Sequence, residues 1–139
     1  MSAPALSNAE MLEIQLRKWV DKRGVHNIRL SPAYSHPSIP AGETVVAEVV
    51  ERSGQSLFFT GRGFTLPGHG FIHYDDITAA EWISSEHFGV RAKRKTEEFD
   101  HIEFVLRYGS SVTLTNIEGA VFPLLHFFKW MIERRKNAA

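Results

Sequence analysis

The chain has 139 residues, 43% of them hydrophobic and 23% charged, enough for one domain with a buried core and nothing that reads as a second globular unit. Its 16 basic and 16 acidic residues cancel, so no global field draws it to nucleic acid or anionic membranes, and any such binding must come from a local patch. The absence of cysteine excludes disulfides, thiolate nucleophiles and zinc sites built on sulfur.

The first residues, MSAPALSNAE, show no basic segment leading into an apolar stretch, and no apolar run approaches a membrane span, so a soluble cytoplasmic protein is expected. Ser7 and Glu10 stand at capping-box spacing, in which the serine accepts from an amide of the first turn and the glutamate reaches back. Ala9, Leu12, Leu16 and Trp19 then form one apolar stripe, with Glu13, Arg17 and Lys18 facing away, and Gly24 supplies the stop. Residues 1–24 are therefore assigned to an N-terminal helix whose stripe docks on the rest of the domain.

Residues 25–42 are expected to hold a short strand over 25–30 and an irregular loop carrying Pro32, Pro37 and Pro40. The next segment, 44–51, is ambiguous: four valines favour a strand, yet Val45, Val46, Val49 and Val50 also share one helical face. Gly42, Glu43 and the Ser53-Gly54 stop tip the assignment towards a short amphipathic helix.

Residues 56–83 organise the rest of the chain. Aromatic-rich runs at 57–60 and 64–66 flank Gly61-Arg62-Gly63, and a second glycine-rich turn at 67–70 leads into 71–74, the pattern of an antiparallel meander. A further strand over 77–83 follows a change of direction at Asp75-Asp76. Polar residues 84–98 read as an exposed loop. Over 99–108, Ile102, Phe104, Leu106 and Tyr108 alternate with Glu103 and Arg107, and Gly109-Ser110-Ser111 turns into 112–115. The last element, 118–135, is a helix with Pro123 near its first turn and Arg134, Arg135 and Lys136 at the negative end of its dipole.

Phe59-Thr60 before the Gly61–Gly63 turn, the apolar run after it, and the Tyr74-Asp75-Asp76-Ile77 step resemble the bacterial pleckstrin-homology-like and GRAM-like domains. The likeness spans about residues 43–136 and leaves the N-terminal helix, short strand and proline-rich loop outside it. It implies an α+β fold: an antiparallel barrel or strongly bent sheet of about seven strands, closed by a C-terminal helix.

His69 and His73, with Asp75 and Asp76, are the nearest approach to a metal or acid-base constellation. His73 and Asp75 would share a strand face, but His69 belongs to the preceding turn, so turn and surface roles are preferred and no metal, cofactor or catalytic residue is assigned. Gly61, Gly63, Gly68 and Gly70 join strands rather than open a helix, which favours hairpin geometry over phosphate binding. Arg91, Lys93, Arg94 and Lys95 form the concentrated basic patch; a solvated loop is preferred to a phosphate site there, and the lack of interleaved aromatics argues against nucleic acid.

The C-terminal helix gathers Val121, Leu124, Leu125, Phe128, Met131 and Ile132 into the stripe expected on the sheet, with Phe127 and Trp130 outside its centre. Those two aromatics are expected under the N-terminal helix or, second, in a self-association surface. The expected function is a non-enzymatic module that binds a protein or peptide, possibly itself, through a sheet edge or the groove beside the C-terminal helix. The alternatives are a lipid- or phosphate-binding domain acting through residues 91–95, and an enzyme near His69, His73 and Asp75.

Overall fold

The computed structural model describes residues 6–23, 27–30, 39–40, 42–51, 53–83, 101–114, 117 and 120–138. Among these residues two α-helices and eight strands run in the order α1 (Asn8–Arg23), β1 (Ile28–Leu30), β2 (Ala47–Val50), β3 (Ser56–Phe59), β4 (Gly63–Leu66), β5 (Gly70–His73), β6 (Ile77–Ile83), β7 (His101–Leu106), β8 (Ser111–Leu114) and α2 (Val121–Ala138). The fold is α+β. Its strands form a five-stranded antiparallel sheet, β1-β2-β3-β4-β5, and a three-stranded one, β6-β7-β8.

Among the described residues no strand pairing joins one sheet to the other, so the expected barrel is not closed. The break lies at Tyr74–Asp76, where a 3-10 turn redirects the chain from β5 into β6. His73 and Asp75 therefore do not share a strand face, because the strand ends at His73.

The helix expected over 44–51 is instead β2, paired with β1 on one side and β3 on the other. Val46 N–H donates to Phe59 O at 2.7 Å and Val50 N–H to Asn27 O at 2.8 Å, extending the ladders at both ends. Two-sided pairing satisfies the backbone and gives the β-branched side chains a pleated surface, which outweighs the helical spacing of the valines. The misleading pattern arose because β2 is buried on both faces: Val45, Ala47 and Val49 enter the core while Glu48 is buried on the opposite face.

The capping box forms, with Ser7 N–H donating to Glu10 Oε1 at 3.0 Å and Glu10 N–H to Ser7 Oγ at 3.1 Å. Leu12 and Leu16 are fully buried and Trp19 stacks on Phe122 at 5.7 Å, so α1 lies along α2. Leu6, just before α1, accepts from the Arg134 guanidinium near the end of α2. Contacts at both ends thus set the two helices antiparallel.

A turn motif holds β3 against β4. Thr60 Oγ1 accepts from the amides of Arg62 at 3.2 Å and Gly63 at 3.3 Å, and Thr60 N–H donates to Gly63 O at 2.8 Å. Tyr74 closes the arrangement from the next corner, donating its hydroxyl to Thr60 O at 2.7 Å and its amide to Arg62 O at 2.9 Å. Gly63 is required because a Cβ there would fall 2.6 Å from the Phe71 ring and 2.2 Å from Ile72 O. In the next turn, Gly68 takes φ +83°, open to glycine at little cost.

Both sheets and α2 converge on an aromatic core. Phe64 stacks on Phe59 at 5.1 Å and tilts against Phe104 at 5.6 Å and Phe128 at 5.8 Å, while Phe104 meets Phe128 edge-on at 4.6 Å. Such pairs contribute about 0.5–1.5 kcal/mol each beyond the area they bury. The alternation expected over 99–108 holds for Ile102 and Phe104, both fully buried, but ends at Leu106: Tyr108 is 70% exposed in the hairpin turn rather than on the strand face. There Arg107 binds Asp76 Oδ1 at 2.8 Å and lies 5.3 Å over the Tyr108 ring.

Candidate binding groove between β6 and α2

Strand β6 has β7 on one side and no strand on the other among the described residues. An edge strand directs about half of its backbone N–H and C=O groups outward, ready to pair with another chain. At seven residues β6 offers the longest such row in either sheet among the described strands. Beside it runs α2, which presents Lys129, Ile132, Glu133 and Lys136 at spacings of three, four and seven, on one helical face.

Between them lies a groove of about 230 Å³, walled on the strand side by Thr78, Ala79, Ala80 and Glu81. Small side chains keep that wall low. The helix runs antiparallel to the strand, as two contacts show: Lys129 Nζ meets Glu81 Oε2 at 3.2 Å, and Arg135 donates to Asp75 O at 2.8 Å and to Ile77 O. Arg135 thereby caps one end of the outward row, leaving Thr78 to Glu81 as its open part. The Lys129–Glu81 pair crosses the other end with both side chains more than half exposed, so it adds little stability and can open for a ligand.

The first half of β6 is also irregular. Its register with β7 shifts between Ile77 and Ala79, and Thr78 Oγ1 donates to Val105 O at 3.0 Å. Such a bulge increases local twist and turns the strand's edge relative to its neighbour.

None of the described residues that the sequence offered as a candidate site lines this groove. His69 is exposed in the β4–β5 turn, and His73 is exposed at the end of β5, edge-on to Phe71 at 5.0 Å. Asp75 is exposed, and Asp76 is held by Arg107. Among the described residues no group of three or more histidine, aspartate or glutamate side chains is placed to hold a metal ion. Arg91, Lys93, Arg94 and Lys95 fall outside the described residues. Phe127 is fully buried, edge-on to Tyr74 at 5.2 Å, and the half-buried Trp130 stacks on it at 6.4 Å with Arg134 5.1 Å over the indole.

Sequence reasoning missed Arg135 as a clamp on Asp75 and Ile77, because a cation in the last turn of a helix already has a sufficient explanation in the helix dipole. The groove beside the C-terminal helix was expected, and the signal that could have named its residues is the spacing of 129, 132, 133 and 136 opposite a strand rich in small residues. No protein-family model, curated protein or solved structure matches the chain. No helix among the described residues is long and apolar enough to cross a membrane.

Proposed function

We propose that the domain is a non-enzymatic module of pleckstrin-homology-like type that binds a peptide in extended form, the peptide adding as a fourth strand to β6 beside α2. The observation that carries this reading is the open edge from Thr78 to Glu81 with a groove along it. Strand addition takes its affinity from main-chain hydrogen bonds and its selectivity from alternate side chains, which here would face Ile132 and the charges of Lys129, Glu133 and Lys136. The family resemblance is supported by the order of elements: a four-strand meander β2–β5, a three-strand meander β6–β8, then a helix, with α1 and β1 added before them.

Selection of binders from a random peptide library tests it, followed by nitrogen-15 NMR of the labelled protein. Shifts concentrated at residues 78–81 and 129–136, and binding weakened at least about tenfold by Ala79→Arg, are expected, since Ala79 is exposed and a long side chain there fills the groove. Peptides that bind elsewhere, or that ignore Ala79→Arg, would overturn the assignment.

A further inference from the structure

Where α1 packs along α2 lies a second groove of about 440 Å³. Gln15, Lys18, Trp19 and Lys22 line it from α1, at spacings of three, four and seven that put all four on one helical face, and His126 lines it from α2. The charge in it is of one sign. Neither Lys18 nor Lys22 has an ion-pair partner among the described residues. The neighbouring acids serve the other side of the helix: Glu13 binds Arg17 at 2.7 Å and, with a weaker contribution from Asp21, holds its guanidinium above the ordinary value.

Two ammonium groups one helical turn apart can converge on a single doubly charged anion, and a histidine across the groove can add a further N–H donor. Beside them Trp19 supplies a flat apolar wall, its ring already oriented by stacking on Phe122 at an interplanar angle of 16°. Lysines in the last turns of a helix also complement its dipole, and that alone would account for their presence. It does not account for a groove of ligand size that sets them beside an indole and faces them with a second helix's histidine.

We infer that the α1–α2 groove binds an organic phosphate monoester, the phosphate held between Lys18 and Lys22 and the apolar or ring portion laid against Trp19. The chemistry is shared by soluble phosphate esters and by a lipid whose headgroup is a phosphate monoester, and the two sources differ in how they are presented.

Calorimetric titration with naphthyl phosphate, naphthol and inorganic phosphate, alongside phosphatidylcholine vesicles with and without phosphatidic acid, separates them. Naphthyl phosphate or phosphatidic acid vesicles should bind, and the Lys18→Ala/Lys22→Ala double variant should weaken that binding about tenfold. Arg17→Ala, which faces away, and Ala79→Arg, which fills only the β6 groove, should leave it unchanged. Binding confined to naphthyl phosphate assigns a soluble ligand, and binding confined to vesicles assigns a lipid headgroup. Both lysines are exposed, so the double variant should melt as the wild type does. Naphthyl phosphate and phosphatidic acid vesicles both failing to bind, naphthyl phosphate binding no better than inorganic phosphate while the vesicles do not bind, or binding indifferent to the two lysines would overturn the inference.

Discussion

The two sheets rest on one aromatic core yet meet their surroundings differently. On the three central strands of the five-stranded sheet the row opposite the core is itself buried: Glu48 is 8% exposed, Phe58 3% and Thr65 5%, with Glu48 beside Phe58 in register. In the three-stranded sheet the corresponding row of Ala79, Val105 and Ser111 is exposed. A sheet buried on both faces loses the alternation of apolar and polar residues, while a half-exposed sheet keeps it. That contrast explains which parts of the fold were legible in the sequence. Ile102 and Phe104, with Glu103 between them, announced β7, whereas the burial of β2 on both faces left its valines open to a helical interpretation.

The buried polar groups of the first sheet are satisfied locally. Ser56 Oγ donates to Glu48 Oε2 at 2.6 Å, and Arg29 stands 3.8 Å from the other carboxylate oxygen. Phe58 N–H donates to Thr65 Oγ1 at 3.0 Å. No periodicity encodes such pairings between strands, so Glu48 could not be recognised as a buried residue before its neighbours were known.

The sharpest way to break the comparison is to truncate one side chain on each outer face. Phe58→Ala should cost about 3–5 kcal/mol, the range for a buried phenylalanine, although its side chain faces away from the shared core. Val105→Ala, on the outer face of the second sheet, should stay within about 0.5 kcal/mol. Urea unfolding of both variants checks this, and similar losses would mean that the faces do not differ as described.

The next effect lies at the corner between the sheets. Tyr74 is fully buried among Phe64, Phe127 and Phe128, and its hydroxyl binds Thr60 O. Tyr74→Phe should therefore cost about 1 kcal/mol for the lost hydrogen bond. Burial, with a smaller contribution from Glu43, pushes the phenol well above its ordinary value of 10.0. Because the folded form keeps its proton where the unfolded chain releases it, this contribution is complete below pH 10.0 and declines as pH rises further. Alkaline denaturation should thus be shallower in Tyr74→Phe than in the wild type, and identical slopes would contradict the assignment.

A comparable effect lies outside both sheets, at the start of α1. Here the sequence was explicit, since a capping box is a local pattern whose partners are three residues apart and need no tertiary information. The docking of α1 was legible from its stripe, but its direction along α2 was not, because Leu6 finds Arg134 only after the whole chain has folded. Ser7→Ala should cost about 1 kcal/mol, typical of a lost N-cap. Glu10, its partner in the box, is held below the ordinary 4.5 first by the Ser7 amide and then by the Ser7 hydroxyl. A depressed carboxylate contributes stability that is complete above pH 4.5 and fades as pH falls through its folded value. The gap in stability between the wild type and Glu10→Gln, read by urea unfolding at successive pH values, should therefore narrow below pH 4.5. A gap that stays constant there would show that the carboxylate charge contributes nothing to the cap.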